Sequence, residues 1–209
     1  MKFECNNTNT GIVITDPQND FLSPDGKGYY LTKGVIDKNN TVLNLERLLN
    51  TAQNNGYTIF VSPHYLYPHD NKWKYKGKEQ DMLLTNKVYQ KQDNTSPTPD
   101  VSDFVQSLKK YLLHEDAVMC TPHKVAGPES NDLVYQLRQH GIDRVFLAGV
   151  LSNVCVESHM RSLIENGFQT AVVYDATAAT SKDDFNAAMT NYKAFATSVC
   201  TTDQVIAEM

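Results

Sequence analysis

The chain has 209 residues, of which 19 are basic and 24 are acidic, and its formal net charge at pH 7 is −5. This length suits one α/β domain with a substantial core, and the acidic balance excludes the basic surface typical of nucleic-acid-binding proteins. No apolar run approaches transmembrane length and residues 1–10 do not resemble a signal peptide, so we expect a cytoplasmic protein that binds neither a nucleic acid nor a membrane.

Apolar runs of strand length alternate with segments of helical spacing along the chain. The predicted strands cover residues 11–16, 57–62, 117–120, 144–148, 168–174 and 197–201. The predicted helices cover residues 40–54, 100–113 and 131–140, the segment from Cys155 to Gly167, a segment beginning at Ser181, and residues 203–209. This order predicts a single domain, residues 1–209, with a three-layer α-β-α fold in which helices cover both faces of a six-stranded parallel sheet.

Residues 63–99 have no clear periodicity and are predicted to form a loop-rich insert, either a lid or a subunit contact. The four cysteines, Cys5, Cys120, Cys155 and Cys200, match neither a Cys-x-x-Cys motif nor a zinc-binding pattern. This spacing indicates reduced cysteines in a reducing compartment.

Three chemically useful side chains follow predicted strands. Asp16 ends the first strand, Lys124 lies just beyond the third, and Cys155 lies just beyond the fourth, where a helix begins. Ligands bind to parallel sheets of this kind outside the carboxyl ends of the strands, so all three belong on the edge where sites form. The positive end of a helix dipole lowers the pKa of a thiol, so we expect Cys155 to be a reactive nucleophile.

These residue types together predict a metal-free hydrolase. Asp16 would accept and return protons, Lys124 would stabilise negative charge, and Cys155 would attack a carbonyl to give a thioester. Backbone amides in the turn 151–155 would bind the oxyanion. Each residue also has an ordinary explanation, because Cys155 could be structural, Asp16 could cap a turn and Lys124 could lie on the surface.

Several motifs resemble the isochorismatase-like cysteine hydrolases. The segment Asp16-Pro-Gln-Asn-Asp-Phe21 is similar to the D-x-Q-x-D-F opening of that family. The block from Gly149 to Val156, followed by Gly167-Phe168 and Asp175-Ala176, is similar to its G-V-x-x-x-x-C-V, G-(F/Y) and D-A motifs. The resemblance covers roughly residues 11 to 200.

The resemblance implies a Rossmann-type sheet and a catalytic triad of Asp16, Lys124 and Cys155. It also implies a cis peptide at Val150–Leu151 and an oxyanion hole made by the amides of Leu151 and Cys155. Members of the family act on nicotinamide, N-carbamoyl compounds, biuret-like imides or isochorismate, and they are often dimers or tetramers. A small-molecule substrate and a homo-oligomer are therefore expected.

The chain departs from the family's metal-binding pattern. Nicotinamidase relatives bind a metal through D-x-H and a later histidine, whereas the corresponding segment here, Ser62 to His69, lacks the aspartate. His64 and His69 could still bind a metal, but we expect no metal and no other cofactor. Isochorismate cleavage does not need a cysteine nucleophile, so the retained Cys155 favours an amide, carbamoyl or related C–N bond.

Four further residues are candidate substrate contacts. Phe21 either lines the pocket or belongs to the core, and Trp73 either forms an aromatic wall or packs the insert. His64 contacts substrate or solvent, and His123 contacts substrate or supports a turn. His159, one helical turn beyond Cys155, is predicted to pack in the core.

The function predicted from the sequence is a cysteine-dependent hydrolase that cleaves a C–N bond of a small molecule through a thioester. The alternatives are an isochorismatase-type vinyl ether hydrolase, a non-catalytic small-molecule-binding module on the same scaffold, and a redox sensor in which Cys155 is oxidised.

Overall fold

The computed structural model describes residues 3–91 and 102–209, and these form a parallel six-stranded sheet. The strands are β1 Thr10–Thr15, β2 Thr58–Ser62, β3 Val118–Met119, β4 Arg144–Val150, β5 Gln169–Ala178 and β6 Ser198–Cys200. Their order across the sheet is β3-β2-β1-β4-β5-β6, and every neighbouring pair is parallel. The predicted sheet is confirmed.

Helices cover both faces of the sheet. The α-helices are α1 Asn19–Leu22, α2 Tyr29–Asn39, α3 Thr41–Asn54, α4 Lys78–Thr85, α5 Lys109–Leu112, α6 Leu133–Gln139, α7 Glu157–Glu165, α8 Lys182–Phe195 and α9 Thr202–Glu208. One core contains residues of α2, α3 and α9 with Ile12 and Ile14 of β1, and the other contains residues of α6, α7 and α8 with Val13. Successive residues of β1 therefore face opposite layers, as a pleated strand requires. The three-layer prediction is confirmed.

Two segment predictions need correction. Residues 63–99 are not wholly irregular, because they contain a 3-10 helix, Pro68–Lys72, and the helix α4. The helix predicted over residues 100–113 is reduced to α5, although its first two residues lie outside the described ranges. The reason lies in the backbone of residues 103–105. The carbonyl of Asp103 accepts from Asn19, and the amide of Val105 donates to Pro17, so this segment is bonded to the loop after β1.

The order of the strands fixes the position of a site. Chain connections run outward in opposite directions from β1 and β4, which makes the gap between their carboxyl ends the switch point of the sheet. Residues that directly follow β1 and β4 therefore face one crevice. Among the described residues, every helix is too short or too polar to cross a membrane.

Candidate active site

Four adjacent strand ends each deliver one polar or reactive side chain to the same point. Asp16 follows β1, His64 follows β2, His123 follows β3, and Cys155 follows β4. A set of four atoms, one oxygen, nitrogen or sulfur from each side chain, lies entirely within 4.8 Å of one another. Asp16, His64 and His123 are 0% exposed and Cys155 is 3% exposed. The predicted meeting of Asp16 and Cys155 at the switch point is thus observed.

Asp16 and His123 form a buried pair. The Nε2 atom of His123 lies 2.7 Å from Oδ1 of Asp16, and the Nδ1 atom lies 2.5 Å from the carbonyl oxygen of Val125. A carbonyl only accepts, so Nδ1 carries a hydrogen, and a further proton must lie between Nε2 and the carboxylate. Burial alone would lower the pKa of His123, but the Asp16 carboxylate outweighs it and raises that pKa. We therefore assign an imidazolium–carboxylate pair.

The backbone at Asp16 aims the other carboxylate oxygen into the cluster. Asp16 has a φ of 49°, in the left-handed region that aspartate tolerates better than most residues. Its amide donates to Ser62 and its carbonyl accepts from Gln18. Among the described residues, Oδ2 has no hydrogen-bond partner. This oxygen is the available proton acceptor of the site.

The ammonium of Lys124 bonds to Asp70 instead of Asp16, contrary to the sequence-based prediction. This ammonium lies 2.7 Å from Oδ2 of Asp70, donates to the carbonyl of Tyr65 at 2.9 Å, and stands over the ring of Tyr67. His123 continues the extended chain beyond β3, where it bridges His64, and neighbouring residues of an extended chain point to opposite sides. Once His123 faces the carboxylate, Lys124 must face away from it.

The sequence-based expectation of a lowered pKa at Cys155 is wrong. Burial of the thiol, followed by the negative charges of Asp16 and Glu79, raises its pKa well above the ordinary value. The backbone amide of Leu151 acts in the opposite direction and favours the thiolate. Cys155 is therefore a resting thiol that needs a base. It lies in a π-helical turn, Ser152–Val156, which follows a cis peptide at Val150–Leu151, as the family resemblance implied.

His64 and His159 flank His123 and are neutral. The ring of His64 lies 4.6 Å from that of His123, and the ring of His159 lies 5.0 Å away on another side. Burial, reinforced by the nearby charge of His123, lowers the pKa of both, and that of His159 falls to about 3. Neither ring nitrogen of His64 has a partner among the described residues, and its ring stacks on Tyr89 at 4.7 Å.

His159 connects the nucleophile to the wall of the site, and the prediction of a simple packing residue was incomplete. Its Nδ1 donates to the carbonyls of Cys155, at 2.8 Å, and Ala126, at 3.1 Å. Its Nε2 is then an acceptor, at 2.9 Å from the hydroxyl of Ser62, which itself accepts from Asn131. This chain fixes the backbone of the π-helical turn.

The other candidate contacts lie at different depths. Phe21 is buried in the core and packs on Tyr89, while Trp73 is half-buried against the same core. His69 lies on the surface, stacks on Tyr67 and is 3.3 Å from Asp70, so it is outside the four-residue cluster that contains His64. The pairing of His64 and His69 considered from the sequence is therefore not observed.

Glu79 adds to the site in a way that sequence reasoning did not anticipate, whereas Gln18 was expected to hydrogen-bond the loops around Asp16. Glu79, on α4, is half-buried, and its charge acts on Asp16, His123 and Cys155. Gln18 donates to the carbonyl of His64 at 2.8 Å and accepts from its amide at 3.0 Å. Gln18 belongs to a recognisable motif, whereas Glu79 lies in the insert, where no pattern in the sequence marks it.

With this geometry described, the comparisons with known proteins identify the family. The isochorismatase domain matches residues 10–204. The chain belongs to the isochorismatase family of hydrolases. The isochorismatase family protein YddQ of Bacillus subtilis (strain 168) is 23% identical over 172 residues, which are 82% of this chain and 79% of YddQ.

Solved structures share the fold at low sequence identity. A cysteine hydrolase from Pseudomonas syringae pv. phaseolicola 1448A superposes with a TM-score of 0.81 at 21% identity, covering 99% of this chain and 95% of that one. YcaC from Pseudomonas aeruginosa, solved with hexane-2,5-diol and covalent acrylamide, has a TM-score of 0.66 at 18% identity, covering 100% of this chain and 84% of that one. The isochorismatase-like fold predicted from the motifs is confirmed.

Proposed function

We propose that this protein is a cysteine-dependent hydrolase that cleaves an amide, carbamoyl or related C–N bond of a small molecule through a thioester. The observation that carries the proposal is the placement of the Cys155 thiol beside an unpartnered carboxylate oxygen of Asp16, with the charged His123 on the other oxygen. A nucleophile, its base and a fixed positive charge are the parts that covalent acyl transfer requires.

In the first half of the reaction, Oδ2 of Asp16 takes the thiol proton as sulfur attacks the substrate carbonyl. The resulting oxyanion accepts from the backbone amides of Leu151 and Cys155. The C–N bond then breaks, and the leaving nitrogen takes the proton from Asp16. The products of this half-reaction are an amine and a thioester on Cys155.

In the second half, Asp16 removes a proton from water as the water oxygen attacks the thioester. The second tetrahedral intermediate collapses with release of the thiolate, which regains its proton from Asp16. The acid product leaves, and the enzyme returns to its starting protonation state. The imidazolium of His123 stays charged throughout and stabilises the carboxylate, which is the role that the sequence suggested for Lys124.

We assign Lys124 a positioning role. Its bonds to Asp70 and to the carbonyl of Tyr65 tie the segment after β2 to the segment after β3. Those two segments carry His64 and His123, so the ion pair holds both histidines in register. Glu79, at the margin of the cluster, favours a substrate that brings N–H donors, as a primary amide or a ureido group does.

An activity screen tests the proposal. Primary amides, ureas, N-carbamoyl acids and isochorismate would be incubated with the wild-type protein and with Cys155→Ala, and intact-protein mass spectrometry would follow the acyl adduct. We expect release of ammonia or carbamate with one substrate class, an acyl adduct on the wild type, and neither in the variant. Undiminished hydrolysis by Cys155→Ala would refute the mechanism, and turnover of isochorismate alone would support vinyl ether cleavage instead. Assembly into a dimer or tetramer stays a prediction, to be checked by light scattering.

A further inference from the structure

We propose that the four-residue cluster of Asp16, His64, His123 and Cys155 is also a binding site for one thiophilic divalent cation of the zinc class. The cluster offers one carboxylate oxygen, two imidazole nitrogens and one sulfur, all buried. This inference does not depend on hydrolysis, since it concerns equilibrium binding to the same donor atoms.

The first argument is the number of polar atoms left without partners. Oδ2 of Asp16 and both ring nitrogens of His64 are buried and unpartnered among the described residues. Buried polar atoms in a folded protein are normally satisfied, so Oδ2 of Asp16 and one ring nitrogen of His64, which belong to the same cluster, indicate a missing ligand. His64 is held by stacking on Tyr89, by contact with His123 and by the nearby backbone of Lys124, and none of these contacts gives its ring nitrogens a hydrogen bond of normal geometry.

The second argument is geometric. Zinc binds nitrogen at about 2.0–2.1 Å and sulfur at about 2.3 Å, so the ligand atoms of a tetrahedral site lie roughly 3.3–3.8 Å apart. The four donor atoms here lie within 4.8 Å of one another, so side-chain movements of about 1 Å would complete the site. The Nδ1 hydrogen of His123 is already bonded to the carbonyl of Val125, which is the outer contact that presents Nε2 to a metal.

The third argument concerns the identity of the cation. A nitrogen and sulfur donor set favours zinc and cobalt over magnesium and calcium, which require oxygen ligands. Binding would displace the proton of Cys155 and the proton shared by His123 and Asp16. The dication, the thiolate and the carboxylate then sum to zero charge, and two protons are released to the solvent.

The consequence for activity follows from the coordination number. Four protein ligands leave no open position for water, so the bound cation closes the site instead of activating a nucleophile. Because the cation holds the sulfur of Cys155, it should block the thiol chemistry proposed above. Loss of hydrolysis with bound cation rests on the proposed function, whereas the binding itself does not.

The test uses chelator-treated full-length protein titrated with zinc chloride in a calorimeter and with cobalt chloride in a spectrophotometer. We expect one cation per chain, release of two protons in buffers of different ionisation enthalpy, and a thiolate-to-cobalt charge-transfer band. Cys155→Ser should abolish that band, and His64→Asn should weaken binding at least about tenfold, the lower limit seen when even an outer contact is lost. Cys5→Ser and His114→Asn, whose side chains lie outside the cluster, serve as matched controls and should bind as the wild type does.

A second measurement needs no variant. Zinc should slow alkylation of Cys155 by iodoacetamide in the wild-type protein while leaving that of Cys5 unchanged, as read by peptide mass spectrometry. The proposal is overturned if no stoichiometric cation binds, if the cobalt spectrum lacks a thiolate band, or if His64→Asn binds as tightly as the wild type. Failure of these tests leaves the hydrolase proposal standing, and failure of every substrate in the activity screen leaves the cation proposal standing.

Discussion

Replacement of His123 by glutamine separates its role from that of Lys124. Glutamine retains a donor that can bond to Asp16 but removes the positive charge. The reacting sulfur lies within 4.8 Å of the imidazole nitrogen, and at an effective dielectric constant of about 20 one unit charge at that distance contributes about 3.5 kcal/mol. We therefore expect His123→Gln to lower kcat/KM by roughly 10²–10³-fold, which is also the usual effect of losing one electrostatic stabiliser.

The matched variant is Lys124→Met, which removes the neighbouring charge while keeping a long apolar side chain. The ammonium of Lys124 bonds to Asp70, so we expect kcat to fall less than about tenfold. The buried carboxylate of Asp70 loses its partner in this variant, which should lower the free energy of unfolding by roughly 1–3 kcal/mol. Both variants would be assayed with the best amide of the screen and by chemical unfolding. A loss of kcat in Lys124→Met as large as in His123→Gln would refute the assignment.

The pH dependence provides a second measure of the same prediction. The pKa of His123 is raised in the folded protein, so its stabilising charge is fully present below the unfolded value of about 6.5 and is lost as pH rises through the folded value. The wild-type kcat should therefore fall as pH rises through the folded pKa of His123. His123→Gln lacks this titrating imidazole, so its residual kcat should not fall over that pH range; an unchanged fall would assign it to another residue.

Three further predictions concern the surroundings of the cluster. Iodoacetamide should label Cys155 more slowly than the partly exposed Cys5 at neutral pH, because burial raises the pKa of Cys155; faster labelling of Cys155 in peptide mass spectra would contradict this pKa direction. His159 has a folded pKa of about 3, so the unfolded chain binds more protons below pH 6.5, and the wild type should lose about 2 kcal/mol of stability between pH 6.5 and 4.5. In urea unfolding, the stability of His159→Gln should change less with pH over that range than the stability of the wild type does. Equal changes in the two proteins would show that His159 is not the cause. Gly149→Ala would place a Cβ 2.0 Å from the carbonyl oxygen of Thr15 at a φ of 117°. Thermal unfolding should therefore show a loss of at least about 3 kcal/mol in the free energy of unfolding. A loss below about 1 kcal/mol would show that the backbones of β1 and β4 can move apart at little cost.

The sequence predicts a site residue best where the order of the strands in the sheet determines the position of that residue. Asp16 and Cys155 follow the two central strands, and any parallel sheet of this order brings them to the switch point. The choice between His123 and Lys124 is different, because adjacent residues of an extended chain face opposite sides. A shift of one residue in the end of β3 exchanges their roles, and no pattern in the sequence fixes that register.

The segment 100–113 shows a similar limit. Its apolar spacing is real, since Phe104, Val105, Leu108 and Leu112 are all buried. Spacing predicts which side chains are buried, however, and not where the backbone bonds are made. The loop after β1 takes the hydrogen bonds of residues 103–105, and that competition is a tertiary effect which local periodicity does not contain.

The proposed hydrolase and the proposed cation site depend on the same condition, which is that the buried cluster has no net charge. The ring of His123 contacts those of His64 and His159, so its positive charge lowers the pKa of both. The carboxylate of Asp16 determines that His123 is the ring that carries this charge. With the thiol protonated, the cluster is neutral and ready for acyl transfer. With both protons exchanged for a dication it is neutral again, so a buried site can reach either state without leaving an uncompensated charge. The same carboxylate and sulfur are used in both states, and substrate and cation should therefore exclude each other.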